Sequence, residues 1–243
     1  MTDRLWSLER YSADASTLHE LPLPDLATRR IWWLEPTVPA LVLGSTQREA
    51  TLPAGGTGMV SVCRRRSGGG AVLLVPGDVL WVDVLLPRED PLWQDDIGRS
   101  TWWLGDLWAR ALEALGFGTL EVWRGGLVRT QWSSAACFAG LGPGEVSISG
   151  RKVIGISQRR TRTQARFQCA VLLHYDSEAL GGLLGLSSEG RAAVASTAVG
   201  LRDLGAVRES GCGMLGANTA TPLEAAAVLG AFLTVLRQID GSV

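Results

Sequence analysis

Short apolar runs bounded by glycine, proline and polar turn residues recur along the chain. They predict strands at Arg30–Glu35, Ala40–Gly44, Met59–Cys63, Val79–Leu86, Glu121–Trp123, Glu145–Ser149, Lys152–Ser157 and Phe167–His174. A helical period replaces the alternation twice. The first helix starts from a cap at Asp95 or Asp96 and runs to about Leu115, where Gly116 ends it; Ile97, Trp103, Leu104, Trp108, Ala111, Leu112 and Leu115 share one face. The second opens at Thr221-Pro222-Leu223-Glu224, a capping box with proline in the first helical position, and ends at Gly241. Its apolar stripe is Ala225, Val228, Leu229, Phe232, Val235, Leu236 and Ile239. A shorter helix is expected at Ser177–Leu184, and a flexible loop at Leu52–Gly58. The strands come mostly in neighbouring pairs, with the long helices set between runs of strands. That order predicts an α/β fold: a mixed, largely antiparallel sheet flanked by helices, not a regular βαβ array.

The 243 residues suit a single domain, 1–243, and 46% of them are hydrophobic, ample for a core without disulfides or metals. A net charge of −1 disfavours nucleic acid or an anionic membrane as partner. No apolar stretch reaches the length of a membrane span, and Met1–Glu9 lacks the apolar core of a signal peptide. Cys63, Cys137, Cys169 and Cys212 are too dispersed for a metal site or a disulfide framework, so a cytoplasmic protein without metal ligands is expected. Arginine supplies all but one of the 23 basic residues; the exception is Lys152. Arginine is a planar fork and lysine a compact point charge, so the lone lysine is either a chance survivor of an arginine-rich composition or the mark of a position where the fork would not serve.

Two segments carry candidate chemistry. In Cys63-Arg64-Arg65-Arg66-Ser67-Gly68-Gly69-Gly70-Ala71-Val72, three glycines let the backbone approach a ligand closely, and their amides and the arginines suit a phosphate or carboxylate. The same pattern also fits a solvated surface hairpin. In Ser149-Gly150-Arg151-Lys152-Val153-Ile154-Gly155-Ile156-Ser157-Gln158-Arg159, a turn leads into a strand, a pattern that an ordinary edge strand with a basic tail also fits. Alternation there places Lys152, Ile154 and Ile156 on one face and Val153, Gly155 and Ser157 on the other. Cys137, among many arginines, is either a nucleophile or a buried inert thiol, whereas Cys169 reads as core. His19 and His174 are isolated, and no hydrolase triad forms around them. Gly211-Cys212-Gly213-Met214-Leu215-Gly216 matches a dinucleotide fingerprint in letters only, because a polar stretch precedes it and too little chain follows.

In this order, the segments at 64–72 and 150–155 resemble the catalytic domain of the biotin/lipoate protein ligase family, on its lipoate ligase A branch. The weaker match at Ala40–Gln47 extends the resemblance over roughly residues 30 to 175. It implies a fold shared with class II synthetases and biotin ligases. It further implies that lipoate or octanoate is activated by ATP and Mg to an acyl-adenylate and passed to a lysine of a lipoyl carrier domain. Such carriers belong to 2-oxoacid dehydrogenases or to the glycine cleavage H protein. On this resemblance Lys152 is the catalytic lysine; Arg65, Ser67, Gly68, Gly69, Gly70, Ala71, Val72, Asp78, Gly155, Ser157 and Arg159 bind the acyl-adenylate. Leu74 and Asp78 stand where the family has a histidine and an asparagine, Gln168-Cys169-Ala170-Val171-Leu172 replaces a His-Gly-Thr-Leu segment, and no C-terminal accessory domain is expected. Shorter relatives are octanoyltransferases that take octanoate from acyl carrier protein onto a cysteine without ATP, and Cys137 lies where that nucleophile falls. A non-catalytic acyl-binding module is the third alternative.

Overall fold

A computed structural model describes residues 6–48, 58–204 and 223–240. The apolar alternation builds two sheets. The larger uses β1 (Ser7–Ala13), β2 (Arg30–Pro36), β6 (Val79–Pro87), β7 (Leu120–Val122), β8 (Val146–Ile148), β9 (Arg151–Arg160) and β10 (Gln164–Leu172), in the order β1-β2-β6-β10-β9-β8-β7. Only its β1–β2 pair is parallel. The smaller sheet has β3 (Ala40–Leu43) between β4 (Ser61–Arg64) and β5 (Val72–Leu74). The mixed, largely antiparallel architecture expected from the sequence is therefore present. The strands at 30–36 and 40–43, close in sequence, do not pair with each other but enter different sheets.

Both faces of the large sheet are buried, which explains why β6 is apolar at every position from Val79 to Leu86 except Asp83. Leu80, Val82, Val84 and Leu86 point toward α2 (Trp102–Ala114) and α5 (Ala225–Asp240), whose Trp108 and Phe232 rings stack at 4.1 Å. Val79, Trp81 and Leu85 point the other way, toward the small sheet and α1 (Ala15–Glu20). A pair of short helices, α3 (Ser177–Leu183) and α4 (Ser188–Thr197), closes the side.

The helix expected from Asp95 or Asp96 begins only at Trp102. Asp96 Oδ1 accepts from the amides of Gly98 and Arg99 at 2.8 and 3.0 Å, so it caps a separate turn, with Ile97 exposed. Strand β1 and helices α1 and α4 escaped the periodicity because their burial is partial or their length short. Met1–Leu5 of the N-terminal stretch, most of the Leu52–Gly58 loop, Thr221 and Pro222 of the capping box, Gly241, and the Gly211–Gly216 segment with Cys212 lie outside the described residues. Among the described residues no helix is long and apolar enough to cross a membrane.

Candidate active site

The arginine and glycine run folds around one of its own side chains. Arg65 is buried, and its guanidinium donates to Ser67 Oγ (3.1 Å) and to the carbonyls of Val42 (3.3 Å), Gly68 (2.8 Å) and Gly70 (2.7 Å). The loop is thereby wrapped on a rigid fork, an arrangement lysine would not reproduce. Two glycines are demanded by close approach. A Cβ on Gly44 would sit 1.9 Å from Gly69 O, and one on Gly70 would sit 2.5 Å from the Ala136 carbonyl carbon. Behind the loop, Ala71 bridges Ala136, with Ala71 N–H donating to Ala135 O at 2.7 Å and Cys137 N–H to Ala71 O at 2.9 Å. Gln47 adds a tie: its side-chain oxygen accepts from Gly44 N (2.9 Å) while its amide donates to Ser134 O and Ala135 O. The glycine loop and the segment carrying Cys137 thus form one unit.

The lone lysine is buried opposite a carboxylate. Lys152 Nζ lies 2.7 Å from Glu145 Oε2 and donates to the carbonyls of Gly140 (3.1 Å) and Cys137 (3.3 Å), with the Phe138 ring centroid 4.7 Å away. Glu145 is itself held by the amides of Gly142 (2.6 Å) and Ile156 (3.1 Å). The expected alternation along β9 fails here. Val146 pairs with Ile154 but Ser147 with Lys152, so Val153 is an extra residue in the strand. This bulge turns both Val153 and Ile154 into the helix-side core and brings Gly155 to the same side as Lys152. A Cβ on Gly155 would lie 3.4 Å from Lys152 Cε.

These groups open on a cavity of about 670 Å³ between the two sheets. Its floor follows from the register. Trp81, Ala170 and Gly155 are direct partners on β6, β10 and β9, forming an apolar row that ends beside Lys152. Two residues along come Asp83, Gln168 and Ser157; two further, Arg166 and Arg159. The floor therefore grades from apolar to polar to cationic. The cationic end joins a crevice of about 150 Å³ lined by Arg66, Ser67, Gln158, Arg159, Arg166 and Gln168.

His19, from α1, lines both spaces. Its ring lies against Trp81 at 4.4 Å, and burial beside Arg166 and Arg65 drops its pKa to about 3. The imidazole is therefore neutral when folded, and protonation favours the unfolded chain below the ordinary pKa of about 6.5. Stability contributed by this group is complete above pH 6.5 and lost as pH falls toward 3. Urea unfolding is expected to show a loss of about 2 kcal/mol between pH 6.5 and 5 that His19→Phe removes. A His19→Phe chain with the same pH slope would refute the assignment.

Of the residues expected from the sequence, Lys152, Cys137, Arg65, Gly68, Gly69, Gly70, Val72, Gly155 and Ser157 line the main cavity, and Ser67 and Arg159 line the crevice beside it. Ala71 is buried behind the loop by its bridge to Ala136. Asp78 faces a different, small crevice: its carbonyl accepts from Leu173 and His174, and its side chain meets Arg202 at 3.4 Å. Cys169 is core, as expected, and burial raises its thiol pKa. Glu145, His19, Trp81 and Phe138 are among the lining residues that the motifs did not indicate. Glu145 was legible in principle, since the Ser149-Gly150 turn folds the strand before it back across Lys152.

The sequence model of the lipoyl protein ligase A/B catalytic domain matches residues 7–210. Octanoyltransferase LipM of Clostridioides difficile (strain 630) is 29% identical over 125 residues, which cover 51% of this chain and 45% of that protein. The match thus spans less than half of that relative's length. Among solved structures, a bi-partite lipoate protein ligase of Thermoplasma acidophilum, described with its E2 lipoyl domain, superposes with TM-score 0.61 at 16% identity over 96% of this chain and 82% of that one. A lipoate-protein ligase A bound with ATP gives 0.64 at 14% identity, covering 96% and 83%. At these identities the likeness speaks for the fold.

Proposed function

The chain belongs to the lipoyl protein ligase A/B catalytic domain family, and on that premise we propose that it carries a lipoyl or octanoyl group to a carrier-domain lysine through a thioester on Cys137. The observation that supports this route is that Cys137 and Lys152 line one cavity whose floor is apolar along the row that ends beside Lys152. In the first step the Cys137 sulfur attacks the carbonyl of an acyl thioester, such as octanoyl-acyl carrier protein. A carbon–sulfur bond forms to Cys137, the bond to the donor sulfur breaks, and the donor leaves as a thiol with the proton that Cys137 gave up. The amine of the carrier lysine then attacks the enzyme thioester, an amide forms, and the Cys137 thiol is restored. Both tetrahedral intermediates place negative charge on the former carbonyl oxygen. Lys152 supplies the facing cation, exchanging its longest hydrogen bond, the 3.3 Å contact to Cys137 O, for that oxygen. Lipoyl domains of 2-oxoacid dehydrogenases and the glycine cleavage H protein are the acceptors on this reading.

A second reading, the ATP-dependent adenylation first expected from the sequence, draws on one specific observation. The crevice beside Ser157 gathers Arg66 and Arg159 with Ser67 and Gln158, a donor set that suits the phosphates of ATP. ATP and its magnesium would then be substrates. One experiment separates the two. The protein is incubated with octanoyl-acyl carrier protein without ATP and its intact mass recorded, and ATP–pyrophosphate exchange is followed with lipoate and with octanoate. The expected result is an octanoyl adduct, absent in Cys137→Ser, without exchange. Acid-dependent exchange that survives Cys137→Ser would overturn the thioester route in favour of adenylation. Neither signal, with carboxylate binding intact, would make the chain a non-catalytic acyl-binding module.

A further inference from the structure

The register that lays out the cavity floor also measures it. Gly155, Ala170 and Trp81 are direct partners on three neighbouring strands, so they project from one face at successive strand spacings. Beside Lys152 the floor offers a hydrogen, then a methyl, and then an indole. The trough is open across β9 and β10 and closed at β6. The closing side chain is fixed: Trp81 is 3% exposed, its Nε1 donates to Asp83 Oδ1 at 2.8 Å, and Asp83 is in turn held by Arg166 Nε at 2.5 Å. His19 leans on the indole from α1 at 4.4 Å, and Leu74 of the small sheet lines the same cavity. The imidazole, neutral when folded, brings no charge to an apolar tail.

We infer that Trp81, buttressed by His19, is the stop that sets the length of the acyl chain. With the acyl carbonyl at Cys137 and Lys152 and the tail running over Gly155 and Ala170, the chain meets the indole after two strand spacings, roughly 10 Å. On that path a medium-chain tail covers the row from Gly155 to Trp81, and a longer chain is stopped at the indole. This rests on the acyl-transfer reading, while concerning only which chains fit.

The test uses hexanoyl, octanoyl, decanoyl, dodecanoyl and tetradecanoyl thioesters as donors, with the rate of each relative to octanoyl as the readout. Thermal shifts with the matching free fatty acids give a second readout that needs no turnover. The native protein is expected to discriminate against dodecanoyl, and Trp81→Leu to raise the dodecanoyl-to-octanoyl ratio about tenfold or more, the order of effect that methylene-scale changes produce in an apolar pocket. Ala170→Leu, which fills the trough midway, is expected to shift preference toward hexanoyl by a similar factor. His19→Ala lengthens the tolerated chain without breaking the Trp81–Asp83 hydrogen bond, which keeps the test decisive if Trp81→Leu does not fold. An unchanged length profile in folded Ala170→Leu and His19→Ala would overturn the inference. A native protein that transfers none of these groups but binds free acids with a length limit that moves in the variants would sink the transfer reading and leave the stop standing.

Discussion

Replacing Lys152 by alanine is expected to slow acyl transfer by about 10²–10³-fold, the loss that follows removal of one donor from a developing oxyanion. The same change touches stability, because Lys152 and Glu145 are an ion pair with side chains 4% and 7% exposed. Removing one partner of a buried pair leaves the other charge uncompensated and commonly costs about 3–5 kcal/mol. Glu145 keeps the amides of Gly142 and Ile156 after the lysine is gone, which places the expected cost at the lower end of that range. Stability and chemistry therefore need separating. The double variant Lys152→Met with Glu145→Gln removes both charges and restores much of the unfolding free energy in urea, yet its transfer rate stays as low as that of Lys152→Ala. Lys152→Arg keeps the charge but not the point geometry: the three partners of the ammonium, Glu145, Cys137 O and Gly140 O, lie around one nitrogen, and a planar fork cannot meet all three in place. Its rate is expected to remain low. A Lys152→Ala enzyme with a near-native rate would remove the lysine from the mechanism.

The longest elements that periodicity located are apolar along most of their length. The strands at 30–36 and 79–87 and the helix at 102–114 bury a contiguous set of apolar residues, so the pattern survives in the sequence. What escaped was local geometry. Alternation failed along β9 because a bulge is one residue of register, and Val153, which occupies it, is apolar like Ile154 beside it. The glycine loop was legible as a close-approach element. Its central arginine was not legible as the support of that loop, because a guanidinium wrapped by carbonyls and one facing a ligand look alike in letters. His19 reads as isolated in the sequence for a similar reason. The residues that give it a role, Trp81, Arg65 and Arg166, are distant in sequence and meet it only through the packing of α1 across the sheet.

That packing rests on a second buried ion pair, and its loss is expected to be the most damaging single change outside the catalytic groups. Arg166 is 2% exposed and Asp83 fully buried, with Nε to Oδ2 at 2.5 Å. The guanidinium also donates to the carbonyls of Leu18 and Leu21 at 3.3 Å, so it fastens the end of α1 to the large sheet, and it lies 5.0 Å from the Trp32 ring centroid. Asp83 meanwhile orients Trp81. Burial pushes the Asp83 carboxyl upward against the pull of Arg166, so the carboxylate depends on that cation. Arg166→Leu is expected to destabilise the fold by about 3–5 kcal/mol, since it strands the carboxylate and frees two carbonyls. The pair itself is a weaker contributor than its breakage suggests, because two desolvated charges recover little beyond their own burial penalty. Arg166→Leu combined with Asp83→Asn should therefore recover about half or more of the lost unfolding free energy, while α1 stays loosened and His19 leaves Trp81. Urea unfolding reads the first effect. Titration of His19 by nuclear magnetic resonance reads the second: the imidazole should return from about 3 toward its ordinary value as it becomes exposed. A double variant as unstable as Arg166→Leu alone would show that the carbonyl contacts to α1, and not the stranded charge, carry the loss.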